Sequence, residues 1–390
     1  MYAFRKPVAA GTFIDTDAIW GLHYKTAVVI IQLVGYVASK FIGIRFISEM
    51  NSANRAVTLI GLVTFALLTW LGFALVPQPY NLVFPFLNGL PLGMIWGIVF
   101  SYLEGRKFTE FMGLALSASF IFASAFVKDV AKWLMNVGIS EFWMPFTTGL
   151  VFIVPLVIFT QLLNQVPPPT LEDEQLKTKR KPMNASERKN FFMNLALGLT
   201  LLITVYILLS VYRDFRDNFM AEIFNDLQLD KSTFTNVEVG VSVSVLFILA
   251  LIMFIKNNKL ALQVNLLAVL TGFVVMGIST IGNLQGWMNN YWWMFSTGFG
   301  AYIAYIPFNS ILFDRLIATF KTEGNTGFLI YLADSFGYLG SLLVMLYRNF
   351  GQADLSWAVF FAYVSLSFGL LGVAFTTGSM VYFQKKSNLV

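Results

Sequence analysis

The sequence contains no cysteine and a single histidine, His23. The first absence excludes disulfides, thiol catalysis and cysteine metal sites. The second leaves little scope for an imidazole metal site, and His23 itself reads as a loop residue. Charge is also scarce, at 12% of residues. A soluble domain keeps about a quarter of its residues charged to solvate its surface, so most of this surface is expected to face lipid. The formal charge of +5 does not imply nucleic acid, because the basic residues fall in short loops between apolar runs instead of gathering on one amphipathic face. No basic segment, apolar core and small-residue cleavage site stand in order at the start, so the apolar segments themselves are expected to direct insertion. No histidine-rich, paired-aspartate or serine-nucleophile constellation is visible. The expectation is therefore no enzyme, no catalytic residue, no metal and no cofactor.

What the sequence has is apolar length. Hydrophobic residues make up 57%, with 40 Phe, 15 Tyr and 9 Trp, and the mean hydropathy is +0.69. A spanning helix needs about 20 largely apolar residues. Eleven segments qualify: Tyr24–Gly43, Ala56–Val76, Leu82–Tyr102, Phe111–Met135, Trp143–Leu163, Phe192–Tyr212, Thr235–Ile255, Leu260–Ile281, Tyr291–Leu312, Thr326–Tyr347 and Trp357–Phe383. Their apolar runs are continuous, whereas barrel strands alternate with a period of two, so helices are predicted. Connectors are short except for a proline-led, highly charged stretch between Gln165 and Lys189. The expected organisation is an N-terminal bundle over 1–166, a cytoplasmic linker over 167–190 and a C-terminal bundle over 191–390. With the linker inside and sides alternating, sixteen lysines and arginines fall inside and seven outside. That bias predicts a multi-pass plasma (inner) membrane protein with a cytoplasmic C-terminus. Arg213 and Arg216 are counted outside, just beyond the segment ending at Tyr212. Asn184-Ala185-Ser186 matches a glycosylation acceptor, but the linker's expected cytoplasmic side dismisses it.

The opening stretch Met1–Phe13 looks like the back half of a further membrane helix, truncated at an internal methionine. Counted as span 1, it makes the eleven segments spans 2 to 12. Phe4–Phe13 (FRKPVAAGTF) aligns with Phe215–Phe224 (FRDNFMAEIF) at an offset of 211. Gly89, Ser101, Leu103 and Arg106 align with Gly298, Ser310, Leu312 and Arg315 at an offset of 209. Two matches at nearly equal offsets pair span 1 with span 7 and span 4 with span 10, as expected of a parallel repeat. The predicted fold is all-α and membrane-integral, two six-helix bundles with eleven full spans and a partial first helix. Pro91 and Pro307 interrupt spans 4 and 10, near Gly89, Gly93, Gly97, Gly298 and Gly300. They fit ordinary helix packing and also rocking between bundles.

Charges inside a bilayer are costly and need a partner or a task. The basic candidates are Arg5, Lys6, Lys40, Arg213 and Arg216. Arg5 and Arg216 are related by the repeat, and in a two-domain transporter spans 1 and 7 face each other across the central cavity. Two guanidiniums offer planar donor forks suited to phosphate or carboxylate oxygens. The plainer readings are that Arg5, Lys6 and Lys40 snorkel to the interface. Arg213 and Arg216, for their part, belong equally well to a network neutralised by Asp214 and Asp217. Glu238 and Asp334 are the acidic candidates for carrying a coupling proton. Glu238, near the end of its segment, reads better as a solvated mouth residue, whereas Asp334 is more deeply placed. Lys128 and Asp129 read as helix-end charges.

Several stretches resemble a known family. MYAFRKPVAA looks like the end of helix 1 in the organophosphate:phosphate antiporters of the major facilitator superfamily. GYVASKFIGI is similar to that family's Ser-Lys-Phe pattern in helix 2, and LQLDKSTF to its Leu-Asp-Lys-Ser stretch after helix 7. RDFRDNFMAEIF and AYIPFNSILFDRL resemble an uncharacterised bacterial family of major-facilitator-like proteins. The resemblance implies that Arg5 and a span-7 arginine bind substrate phosphate, with Lys6 and Lys40 contributing. A gapless count back from Leu-Asp-Lys-Ser lands at Ser210, so Arg213 and Arg216 are both near the expected position. The chain departs from the superfamily in the loop after span 2, where GIRFISEMNSANR places Glu49 and Arg55 at another spacing than Gly-x-x-x-Asp-Arg-x-Gly-Arg-Arg. It also lacks the antiporters' helix-5 histidine, since SASFIFASAF has none. The functional expectation is a monomeric secondary active transporter that moves a small organic anion by alternating access, phosphate esters being among the candidates. Its partners would be that solute and the lipid bilayer, with no nucleic acid. The alternative is a non-transporting receptor of the same fold that binds a solute and signals to a partner.

Overall fold

The computed structural model describes residues 1–48, 54–103, 109–167, 185–229, 233–320, 326–351 and 355–387. Most of the expected linker, with Lys177, Lys179, Arg180, Lys181 and Asn184, lies outside them, as do Glu49, Arg106, Lys107 and Lys231. Every one of the eleven predicted segments is a helix. In chain order they are α1 (Tyr24–Ser48), α2 (Arg55–Leu75), α3 (Val83–Leu103), α4 (Thr109–Asn136) and α5 (Met144–Asn164). After a short polar helix α6 (Ala185–Asn194) follow α7 (Ala196–Asp226), α8 (Thr233–Met253), α9 (Asn258–Leu284) and α10 (Asn290–Ser310). The series ends with α11 (Leu312–Phe320), α12 (Thr326–Phe350) and α13 (Trp357–Ser387). Among the described residues nine helices are long and apolar enough to cross a membrane, ten if α10 and α11 form one span bent by 50°. The bend falls at Ile311, one turn beyond Pro307.

Two boundaries differ from expectation. α7 does not stop at Tyr212 but continues to Asp226, which carries RDFRD inside the helix. Arg213, Asp214 and Arg216 can stay helical and buried because they find partners within the fold, as set out below. Met1–Phe13 is not the end of an α-helix; it folds as two 3-10 turns, Tyr2–Phe4 and Pro7–Ala10. Pro7 supplies no backbone donor and sets its own φ, which suits the first position of a new turn better than the middle of an old one.

By proximity the chain forms two compact units. One comprises Met1–Glu104, Ala123–Pro168 and Met345–Gly351, the other Gly105–Phe122, Pro169–Val344 and Gln352–Val390. In the first unit α1 and α2 both pack on α3, α2 also packs on α5, and the N-terminal turns lie on α5. In the second unit α8 and α9 both pack on α10, α9 also packs on α13, and α7 lies on α13. Paired as α1 with α8, α2 with α9, α3 with α10, α5 with α13 and the N-terminal turns with α7, these are the same contacts. The internal repeat is thus present in the packing as well as in the sequence. The outer faces are apolar: Val57, Val154, Phe159, Phe254 and Leu370 are all more than half exposed. Water would not tolerate so much apolar surface on a folded monomer, whereas acyl chains do.

Candidate functional site

In the first unit polar side chains gather around the N-terminal turns. α1 carries Gln32, Tyr36 and Lys40 at intervals of four, which places them along one helix face. Gln32 Nε2 donates to the Arg5 carbonyl at 3.2 Å and to Asn88 Oδ1 at 2.8 Å. Asn88 Nδ2 donates to the carbonyls of Phe4 at 3.1 Å and Ala66 at 2.9 Å, and Trp70 Nε1 donates to the Phe4 carbonyl at 2.8 Å. Three side chains from α1, α2 and α3 thereby satisfy main-chain carbonyls that the 3-10 turns leave open. Farther along, Glu141 receives the backbone N–H groups of Thr12 and Phe13, each at 2.6 Å. Phe13, in left-handed backbone at φ 52°, then packs edge-on against Phe73 and Phe142.

This seat aims Arg5 inward. Its guanidinium carbon lies 3.9 Å from the centre of the Tyr36 ring, and the Lys40 ammonium lies 5.4 Å from the same ring. Arg5 and Lys6 are each 4% exposed and Lys40 1%. Neither Arg5, Lys6 nor Lys40 reaches an aqueous edge, so the snorkelling readings are set aside. Close approach of α1 and α3 requires Gly89, where a Cβ would fall 2.3 Å from the Gln32 carbonyl oxygen.

Buried carboxylates distinguish the second unit among the described residues. Among the described residues the buried ones are Asp214, Glu238 and Asp334, all in this unit. Arg216 Nη1 donates to Glu238 Oε1 at 2.5 Å and Nη2 to the Met294 carbonyl at 3.1 Å. Glu238 is thus not a solvated mouth residue; it is 5% exposed and paired with a guanidinium that is itself 2% exposed. Arg213 Nη2 donates to Asp214 Oδ1 and to the Tyr338 hydroxyl, both at 2.9 Å, and its guanidinium lies 4.3 Å from the Tyr305 ring centre. The Tyr305 and Tyr206 hydroxyls are 2.9 Å apart, and Tyr206 donates to Asp334. Asn309 adds an Nδ2–H to the Tyr206 oxygen at 3.3 Å. The two span-7 arginines therefore enter different environments, Arg216 beside α8 and α10 and Arg213 against α12 and the tyrosines.

A family model matches residues 7–386 of this sequence. The chain belongs to a family of unknown function, DUF5690. No curated protein matches this DUF5690 chain by sequence. Among solved structures it is similar to the major facilitator superfamily proton:xylose symporter XylE bound to 6-bromo-6-deoxy-D-glucose. The two share 13% identity and a TM-score of 0.61 over 96% of this chain and 92% of that one. At that identity the likeness shows the fold alone: the DUF5690 chain is an all-helical, multi-span membrane protein of the major facilitator fold.

Of the residues singled out from the DUF5690 sequence, Arg5 and Lys40 meet at one tyrosine and Arg216 meets Glu238. Asp334 is joined to Arg213 through Tyr206 and Tyr305. Sequence reasoning missed Gln32, Tyr36, Trp70 and Asn88. For three of them a signal existed, since Gln32 and Asn88 are uncharged polar residues within apolar spans, and Gln32, Tyr36 and Lys40 recur every fourth residue.

Proposed function

We propose that this protein is a secondary active transporter of a small organic anion, working by alternating access. The observation that carries the reading is the placement of Arg5, Lys6 and Lys40 deep in the first unit, with Arg5 and Lys40 sharing the Tyr36 ring. Cations held in a low-dielectric interior attract anions far more strongly than surface cations do. The resemblance of FRKP and ASKF to the organophosphate:phosphate antiporters supports phosphate esters among the substrates. Arg213 and Arg216 each hold a protein carboxylate, Asp214 and Glu238. A solute oxygen reaching Arg216 takes the place of Glu238, and that exchange, together with Asp334, supplies groups for coupling to proton symport or to a counter-anion.

The test pairs binding with flux. Purified protein is screened by thermal shift against organic phosphates and carboxylates, and hits are assayed for uptake into proteoliposomes. A ligand at ~100 times its dissociation constant stabilises by about 2.7 kcal/mol. An anion that stabilises, accumulates, and loses both effects in Arg5→Ala is the expected result. Hits that survive Arg5→Ala and Arg216→Ala alike would remove the arginines from the site. Binding without uptake would instead make the protein a receptor of the same fold.

A further inference from the structure

A second feature of the second unit lies outside everything above. A cavity of about 400 Å³ opens where α9, α11 and α13 meet. Its walls are graded. At one end stand Lys259 and Gln263 of α9, Thr319 of α11, and Gln384 and Ser387 of α13. At the other end the lining turns to Leu266 and Leu267 of α9 and Met380 of α13. The start of α9 meets the end of α13 here, where Lys259 Nζ donates to the Ser387 carbonyl at 3.5 Å. From Lys259 to Leu267 is eight residues, or ~12 Å of helix, so the cleft passes from a cationic polar mouth to an apolar floor over that distance. Leu260 and Leu267 are about half exposed, which leaves the side of the cleft open to acyl chains.

The mouth is also electropositive. Arg315 Nη1 donates to Asn258 Oδ1 at 2.7 Å and to the Lys256 carbonyl, and Lys386 donates to the Asn194 carbonyl. These bonds bring Lys256, Lys259, Arg315, Lys385 and Lys386 to the same end of the unit. Asp314, the described carboxylate on α11, accepts from the Thr326 hydroxyl and keeps its single negative charge against these five cations. We infer that this cleft binds one acidic phospholipid, its phosphate at the Lys259 ammonium and an acyl chain along Leu266, Leu267 and Met380. A basic pocket between helix ends at the membrane interface is suited to such a headgroup, and the polar-to-apolar grading within one cleft fits an amphiphile better than a free anion.

The experiment uses the full chain in neutral detergent with phosphatidylglycerol, phosphatidylcholine of the same acyl chains, and glycerol phosphate. Retention is read by native mass spectrometry and stability by thermal shift. Wild type is expected to retain phosphatidylglycerol over phosphatidylcholine, and Lys259→Gln to weaken that preference by about fivefold. Lys259→Arg restores it, which separates lost charge from lost folding. Met380→Trp, which fills the floor, is expected to lower phosphatidylglycerol retention while leaving the mouth cationic. Equal retention of phosphatidylglycerol by wild type and Lys259→Gln would overturn the assignment. Stabilisation by glycerol phosphate alone, equal to that by the whole lipid, would overturn it too, by showing an anion site without an acyl floor.

Discussion

Gly298 faces the Arg216 guanidinium so closely that a Cβ there would sit 2.8 Å from Nη2 and 3.0 Å from Cζ. The residue matched to Gly89 by the internal repeat thus leaves room for a charge instead of a neighbouring backbone. Gly298→Ala is expected to push the guanidinium off Glu238 and to lower stability by about 1–3 kcal/mol, the usual cost of overpacking. Thermal denaturation of the purified variant measures it, and an unchanged midpoint would mean that Arg216 has room to move. The pair itself admits a sharper test. Removing one partner of a buried ion pair costs on the order of 3–5 kcal/mol, because the other charge is stranded. Arg216→Gln and Glu238→Gln are each expected to destabilise strongly, and the double variant by clearly less than their sum. Strict additivity would show that the two groups do not depend on each other.

At the scale of elements, the N-terminal turns are held by Gln32, Trp70 and Asn88. Gln32→Leu leaves the Arg5 carbonyl and Asn88 Oδ1 without that donor, a loss of about 1–3 kcal/mol. Hydrogen exchange should rise in the peptide covering Phe4–Ala10 while α9 and α10 stay protected. Uniform exchange across the chain would point to global destabilisation instead. The helices were legible because each is a long apolar run, and the bend near Pro307 because proline marks such places. The end of α7 was not, since RDFRD resembles a boundary until the partners of its charges are known. Glu238 lies twenty-two residues beyond Arg216 on another helix, and no periodicity joins them. Nor does sequence spacing disclose that Trp70 and Asn88 meet at one carbonyl; only the packing of α1, α2 and α3 brings them there.

For the whole molecule, the absence of cysteine makes orientation directly measurable. Single cysteines at Ser186 and Ser387 are expected to react with a membrane-impermeant maleimide from the cytoplasmic side. Cysteines at Ser140 and Gln285 should react from the other side, as the excess of inside lysines and arginines predicts. Labelling of Ser387 and Gln285 from the same side would invalidate the alternating topology. The repeated packing pattern bears on the same question. The two units have equivalent helix contacts but bury different charges: Arg5, Lys6 and Lys40 in the first, and Asp214, Glu238 and Asp334 with Arg213 and Arg216 in the second.

The seat beneath Arg5 is built on main chain. Gln32, Asn88 and Trp70 grip the carbonyls of positions 4 and 5, not their side chains. A grip on main chain is blind to which residue it holds. The main chain of these first turns is therefore held independently of the side chain at position 5, so a change there alters the charge beside Tyr36 without removing the bonds that seat the turns.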